Sequence, residues 1–307
     1  MTAISTQDLN LANYTSKTMF KKNIQSGVIA KIVDESPEKL LVGKTDVITL
    51  TKTPKAELVG EGQDKSPTPN KPSSRTVRTY KLQYTERFNE EVLMYDEDAQ
   101  IGLIDGYVAN LLKALSRGVD LVGFHGINPL TGVVSPQATY YVDAVATRVY
   151  DADAGKALDE AVALLLGRGV TTNGIAVDPK FAAELYKLRN TDGSKKYPSV
   201  GLGGVTDNFE GIRSGQSNTV SGSEEMAAAD ATDRAIVGDF EAVRYSVVRN
   251  VPVELIKFGD PDGLGDLKRK NQVALRGEIF FAVAVLDDDA LVIITSDPTE
   301  EGEPESV

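Results

Sequence analysis

The 307-residue sequence contains no cysteine. Disulfide frameworks, thiolate zinc sites, iron–sulfur clusters and a cysteine nucleophile are therefore excluded. Tryptophan is absent, and histidine occurs once, at His125. A Ser-His-Asp triad would have to use that single ring, and no Gly-x-Ser-x-Gly elbow accompanies it. A structural histidine in a Gly/Pro-rich turn is the expectation, and no acid/base pair stands out among the carboxylates. No apolar run approaches the roughly 18 residues of a membrane span. The opening residues, MTAISTQDLNLANYTSKTMFKK, lack the charged-then-apolar pattern of a secretory signal. The expected product is soluble and intracellular. Basic residues are outnumbered, 33 Lys plus Arg against 45 Asp plus Glu, for a net charge of −12. Nonspecific DNA affinity comes from neutralising phosphates, so such a chain is a poor DNA binder.

With 41% apolar and 25% charged residues, the chain can bury a real core. Residues 1 to about 25 are polar and weakly patterned, and Gly27 to Val33 is an apolar stretch ended by Ser36-Pro37. This predicts an extended arm followed by a short helix. Asp46–Lys52 is β-branched, and Arg78–Phe88 alternates, with Tyr80, Leu82, Tyr84 and Phe88 on one face. Both read as half-buried strands. Between them residues 53–74 carry four prolines and no apolar period. Paired flanks make a projecting hairpin arm the better reading than a linker. Residues 52–87 hold eight basic residues and four acidic ones, a net +4 that leaves the remainder at −16. A basic arm on an acidic body suggests docking on acidic protein surface, including that of another copy.

The spacing of Met94, Ile101, Ile104, Val108, Leu111 and Leu115 predicts a helix over 90–117, about 40 Å long. Glu90, Glu91, Asp96, Glu97 and Asp98 lie in its first turns, the order that the helix dipole favours, and Gly118 is read as its stop. A second unit follows: a helix at Ala157–Leu166, a buried strand at Gly174–Val177, and a helix opened by Asp178-Pro179 and spanning 179–190. Residues 191–222, rich in Gly, Ser, Asn and Asp, read as a surface loop with a short strand at 208–213. Strands are expected at 235–237, 243–249, 251–257, 272–285 and 291–295. The tail, DPTEEGEPESV, has five acids and no base and is expected to be disordered.

Short motifs add little chemistry. Val42-Gly43-Lys44-Thr45 ends like a phosphate-binding loop, but Glu38 stands where the first glycine is needed. Gly201-Leu202-Gly203-Gly204 has no strand before it or helix after it. Asp260, Asp262, Gly263 and Asp266 suggest a calcium loop, yet Leu264 stands where an oxygen ligand belongs and Asn271 where the twelfth-position glutamate is required. These aspartates, and Asp287 to Asp289, read as solvated turns. No cofactor, metal or catalytic residue is assigned.

The arm, the Gly27–Pro37 segment, the AELVGEGQDKSPTP hairpin, the RTYKLQYTERFNEEVL strand running into a long helix, and the turn GFHGINPLTGV resemble the major capsid proteins of tailed phages. The resemblance covers about residues 25–295 and implies an α+β, Hong Kong 97-like capsid fold. Residues 1–35 would be the N-terminal arm and short helix, and 36–139 the first part of the peripheral domain. That part would include the extended β-hairpin E-loop, 53–80, and the spine helix, 90–117. Residues 140–270 would be the axial domain, 271–296 the closing strands shared with the peripheral domain, and 297–307 the tail.

The implied function is self-assembly of hexamers and pentamers into an icosahedral shell around double-stranded DNA, held without sequence-specific binding. Lys55, Lys65, Lys71, Arg75 and Arg78 of the E-loop would contact a neighbour, and the acids Glu90, Glu91, Asp96, Glu97 and Asp98 would receive them. Lys195, Lys196 and Tyr197 would lie on the capsomer-centre loop. The capsid-like part starts near residue 25, so a separate scaffolding protein is expected, with a portal and decoration proteins as further partners and no membrane. Lys55, Lys65, Lys71 and Asn271 supply the residue types of an autocatalytic crosslink, but they do not align with a reacting pair. The expected location is the virion capsid, assembled in the host cell cytoplasm. Two alternatives remain open: an encapsulin-type nanocompartment enclosing a cargo enzyme, and a metal-dependent hydrolase using Asp260, Asp262 and the Asp287 run.

Overall fold

Val28, Ile29 and Ile32 share one side of a single helical stretch, α1 (Val28–Ile32), and all three are buried. The computed structural model describes residues 27–36, 43–49, 56–64, 73–91, 97–205, 207–227, 230–250 and 253–296, with only the backbone at 73, 97–105, 249 and 250. The N-terminal arm, Lys55, Lys65, Lys71, Asp96 and the acidic tail lie outside these residues, as do the side chains of Glu97 and Asp98.

The alternating segments form a five-stranded sheet. Strand β1 (Lys44–Thr49) pairs antiparallel with β2 (Ser73–Asn89), from Lys44 opposite Arg78 to Thr49 opposite Ser73. The expected hairpin is therefore present, with β2 five residues longer at its start than its alternation suggests. The other end of β2 pairs with β12 (Gln272–Val285), which continues to β10 (Val243–Asn250) and β11 (Glu254–Ile256). At about 3.4 Å per residue, β2's 17 residues span roughly 55 Å. Its inner face supplies Tyr80 and Phe88, which pack on Phe281 and Tyr107 with ring centroids 5.7 and 4.8 Å apart.

Across that face runs α2 (Glu97–His125), 29 residues with Val108, Leu111 and Leu115 buried as their spacing requires. Both predicted ends move. The helix does not start at residue 90: β2 runs to Asn89, and the Glu90 N–H that follows it donates to the Asn271 carbonyl at 2.9 Å. Gly118 does not stop the helix but sits buried in it, where a Cβ would lie 2.7 Å from Leu82 Cδ1. The helix ends instead before Gly126, at φ +65°.

After α3 (Val142–Val145) the second sheet begins. Its six strands run in the order β3 (Thr147–Val149), β13 (Leu291–Thr295), β9 (Asp233–Gly238), β4 (Gly174–Val177), β8 (Ile212–Gln216) and β7 (Asn208–Phe209). Helices α4 (Ala154–Gly167) and α5 (Pro179–Lys187) pack on one face with Ile175, Val177, Val237 and Ile294. Ala176, Ile236, Leu291 and Ile293 point the other way, into the core shared with α1, α2 and the first sheet. Asp153 and Asp178 cap the two helices, and α5 ends at Lys187, three residues before its predicted end. A two-stranded hairpin, β5 (Val200–Gly201) with β6 (Gly204–Val205), completes the fold.

Sheet membership does not follow chain order. The closing strands do not travel together: β12 joins the first sheet and β13 the second, where it pairs with β3 and β9. Conversely, β10 and β11, grouped by position with the second unit, pair with β12 in the first sheet. Strand pairing is set by which apolar faces meet, and that does not follow chain order.

Candidate functional site

At the hairpin, Arg75 rises from β2 to the β12–β13 turn. Its two terminal nitrogens donate to both Asp288 carboxylate oxygens, at 2.8 and 2.6 Å, and one also to the Val285 carbonyl at 3.0 Å. The guanidinium stacks 4.9 Å from the Tyr140 ring centroid. A fork on a carboxylate raises its already high pKa, burial opposing only in part. Arg75, expected to reach a neighbour, is thus engaged by its own chain and anchors the hairpin. Arg78 is half-buried on the same strand. Beyond the anchor, β1 is an edge strand whose Ile48 is 70% exposed.

At the opposite end of β2, Arg87 supplies the positive charge to the 260–266 loop. It pairs with Asp260 at 2.9 Å and with Asp262, and donates to the Gly265 carbonyl. Asp266 instead accepts from the Arg269 N–H. The fork from Arg87 holds Asp262 below the usual carboxylate range. Phe258 and Leu264 are exposed on this loop, at 70% and 64%. Glu90 accepts from Lys268 at 2.9 and 3.0 Å, and Glu91 from Asn271 at 3.5 Å, so these two acids also have partners within the chain. In the Asp287–Asp289 turn Asp289 lies 3.9 Å from Arg168, and Asp287 accepts from the Asp289 N–H. The acidic turns are ion-paired, with bases on other elements.

The 195–197 segment is tied inward. Lys195 donates to the Val200 carbonyl at 3.3 Å and lies 4.0 Å from the Tyr186 ring centroid, and Lys196 pairs with Asp159 at 3.3 Å. Tyr197 is buried against Phe209 in the second core. Leu202, at the tip of the β5–β6 hairpin, is the large apolar side chain that this region exposes, at 94%.

The least expected feature is the turn at 217–221, read as surface loop. Thr219, Val220 and Ser221 are all fully buried. Thr219 donates its hydroxyl to Asp120 of α2, and its carbonyl oxygen lies 3.1 Å from His125 Nε2. Ser221 donates to Asp178 at 2.6 Å. Asp120 also accepts from the N–H groups of Val28 and Ile29, at 3.2 and 3.1 Å, and so caps α1, whose own N-cap residue Gly27 has no side chain to do so. Burial pushes Asp120 up to about 6, against the pull of those three hydrogen bonds. The turn thus ties α1, α2 and the start of α5 through side chains up to 99 residues apart. Its Ser/Thr/Asn composition imitates solvent exposure, and the legible hint lay elsewhere: a carboxylate, Asp120, inside the apolar run Val119-Asp120-Leu121-Val122.

Among the described residues, His125, Asp143 and Asp233 bring ligand-type atoms within 4.8 Å of one another. The contacts there are those of a hydrogen-bonded ion cluster: His125 Nδ1 is 2.8 Å from Asp143, whose other oxygen takes Arg148 at 3.0 Å. No helix among the described residues is long and apolar enough to cross a membrane.

The sequence profile of the phage capsid family matches residues 11–296. A chain from Mycobacterium phage Ogopogo is 34% identical, with a TM-score of 0.77, over 89% of this chain and 93% of that one. One from Gordonia phage Cozz is 28% identical, with a TM-score of 0.74, over 88% and 86%. The capsid of an empty GTA particle, at 14% identity and a TM-score of 0.54, shares the fold over 86% and 87%. No curated protein matches the sequence. With a fold of helices and sheets that it shares with these chains, and a profile match over nearly its whole length, the chain belongs to the phage capsid family and is a structural, non-enzymatic protein of the virion shell.

Proposed function

We propose that this shell protein assembles in the Hong Kong 97-like manner, as hexamers and pentamers closing an icosahedral capsid around double-stranded DNA. The β1–β2 hairpin is the observation that carries the reading. It is a paired ribbon on a sheet edge, anchored at its base by Arg75 and exposing Ile48. An exposed strand edge is a template for another chain, and closed symmetric assembly needs self-complementary patches of this kind. The E-loop, 53–80, then reaches a neighbouring copy through Lys55, Lys65 and Lys71, with Arg75 serving as its hinge post. Its receptor is the acidic segment that leads into the spine helix, from Glu90 to Asp98.

In this reading the peripheral domain comprises the first sheet and the spine helix, and the axial domain comprises the second sheet with α4, α5 and the β5–β6 hairpin. Strand order supports a chain that crosses between them more than once. Lys195 and Lys196 brace the hairpin that faces the capsomer centre, and Leu202 makes the contact there. A separate scaffolding protein, a portal and decoration proteins complete the assembly, which takes place in the host cytoplasm. The net charge of −12 lets the wall repel packaged DNA instead of binding it. The encapsulin-type alternative is not favoured, since the family and its 34% identical relative are of phage origin.

Negative-stain electron microscopy of the full chain, alone and with a scaffolding protein, tests this reading. Closed shells, or rings of five and six, are expected. A small monodisperse oligomer under both conditions would sink the proposed geometry. Charge reversal of Lys55, Lys65 and Lys71 together is expected to impair shell formation without unfolding the subunit. Unchanged assembly would remove the arm from the contact.

A further inference from the structure

His125 closes α2 in a site where only 2% of the residue is exposed. Its Nδ1 lies 2.8 Å from Asp143 Oδ2, and its Nε2 lies 3.1 Å from the Thr219 carbonyl oxygen. Both partners are acceptors when Asp143 is ionised. A neutral imidazole has one N–H and can satisfy only one of them, whereas a doubly protonated ring donates to both. Arg148 favours ionisation of Asp143 from the side away from the ring, donating to its other oxygen at 3.0 Å. Burial opposes that charge, but the His125 ring and Arg148 hold the carboxyl below its usual range.

The charges around the ring point the same way. Asp233 of β9 brings Oδ2 to 3.8 Å from Nδ1, so α3 and β9 each present a carboxylate and β3 presents the Arg148 guanidinium. The 217–222 turn faces the ring without a charge of its own, and Asp120 is reached only through the Thr219 hydroxyl. Tyr141, before α3, has its phenol pushed up by burial and by Asp143, which leaves it neutral. With an imidazolium both ring N–H groups find acceptors, and the ring and Arg148 face the Asp143 carboxylate from two sides. With a neutral ring one of those buried acceptors loses its donor, which a low-dielectric interior penalises.

We propose that His125 is an imidazolium in the folded subunit at neutral pH, and that its deprotonation in alkaline solution unlocks the joint between the end of α2, α3 and the 217–221 turn. Burial lowers the pKa of the ring, but Asp143 and the Thr219 carbonyl more than offset it, and the net direction is upward from 6.5. The linkage therefore has one sign. The contribution of the joint to stability is fully present below pH 6.5 and is lost as the pH rises through the higher folded value. The device would make a shell subunit firm at neutral and acidic pH and looser in alkali, independently of how copies contact one another.

One histidine gives one ring to observe. In the full chain labelled with 15N-histidine, both ring nitrogens are expected to be protonated at pH 7, with a single titration above pH 6.5. The melting temperature of the subunit is expected to fall across that same alkaline window, and His125→Gln is expected to flatten the fall. A ring with one bare nitrogen at pH 7 overturns the proposal, as does an alkaline loss of equal size in the variant. If the variant does not fold, the ring titration of the unaltered chain decides alone.

Discussion

In the six-stranded sheet every residue of β4 and β13 is buried, whereas β1 of the five-stranded sheet alternates between exposed and half-buried. The second sheet has helices α4 and α5 on one face and the main core on the other, the arrangement in which strands read as continuous apolar runs. The first sheet is covered by α2 on its inner face, while Lys81 and Gln83 stand exposed on its outer face and Ile48 on its edge strand. One sheet is covered on both faces by its own chain; the other, among the described residues, leaves an edge and part of its outer face exposed. On the proposed reading this divides the labour of a shell subunit: stability concentrates in the short strands, and contact surface in the long ones.

Substitutions can break or sharpen that contrast. The largest effect is expected in the second core, where Phe181→Ala should cost about 3–5 kcal/mol in urea denaturation of unassembled subunits, because Phe181 is 2% exposed beneath α4 and the sheet. A loss under about 1 kcal/mol would erase the distinction between the sheets. Asp120→Asn should cost about 1–3 kcal/mol, since an amide can no longer accept from Val28, Ile29 and Thr219 together. It should also remove a pH dependence. With its pKa raised from 3.8 to about 6, Asp120 gives the folded chain a stabilising proton below pH 3.8, and that contribution is lost as the pH rises through 6. Equal pH slopes in wild type and variant would rule that linkage out.

Gly277→Ala should cost a similar 1–3 kcal/mol, about the penalty of overpacking, because a Cβ there would lie 2.5 Å from Leu111 Cδ2 and force α2 off the first sheet. A neutral result in thermal melting would mean that α2 is seated less tightly than its apolar stripe implies. The smallest effect is expected on the open face. Lys81→Ala removes a 2.9 Å pair with Glu278 whose lysine is 47% exposed, worth about 0–1 kcal/mol. A larger loss in the isolated subunit would show that the outer face also serves its own chain's stability.

Local pattern made much of this legible. Two-residue alternation located β2 and the apolar step located α2, since each period follows from backbone geometry alone. Asp178-Pro179 marked the start of α5 because cap and first-turn chemistry involve adjacent residues. The misreadings share one cause. Glu90 looked like a helix start until the Asn271 carbonyl claimed its N–H, and Gly118 looked like a stop until Leu82 filled the space above it. Arg75 read as a free basic residue of the arm, yet a turn 213 positions away held its carboxylate partner. The 217–221 turn read as solvated because its polar groups find their partners on α2 and at the start of α5, which no local window contains.

The sequence by itself determined the strand and helix periods, the hairpin arm and its charge, the absence of thiol chemistry, and an order of elements that resembles a capsid protein. These properties depend on composition and near-neighbour spacing, which the chain carries with it when unfolded. Only the tertiary structure decided which strands share a sheet, which charges serve the fold before any neighbour can use them, and how one threonine and one histidine come to join segments a hundred residues apart. Those outcomes depend on which distant groups are dehydrated together, and in a buried site the cost of an unpaired polar group selects its partner.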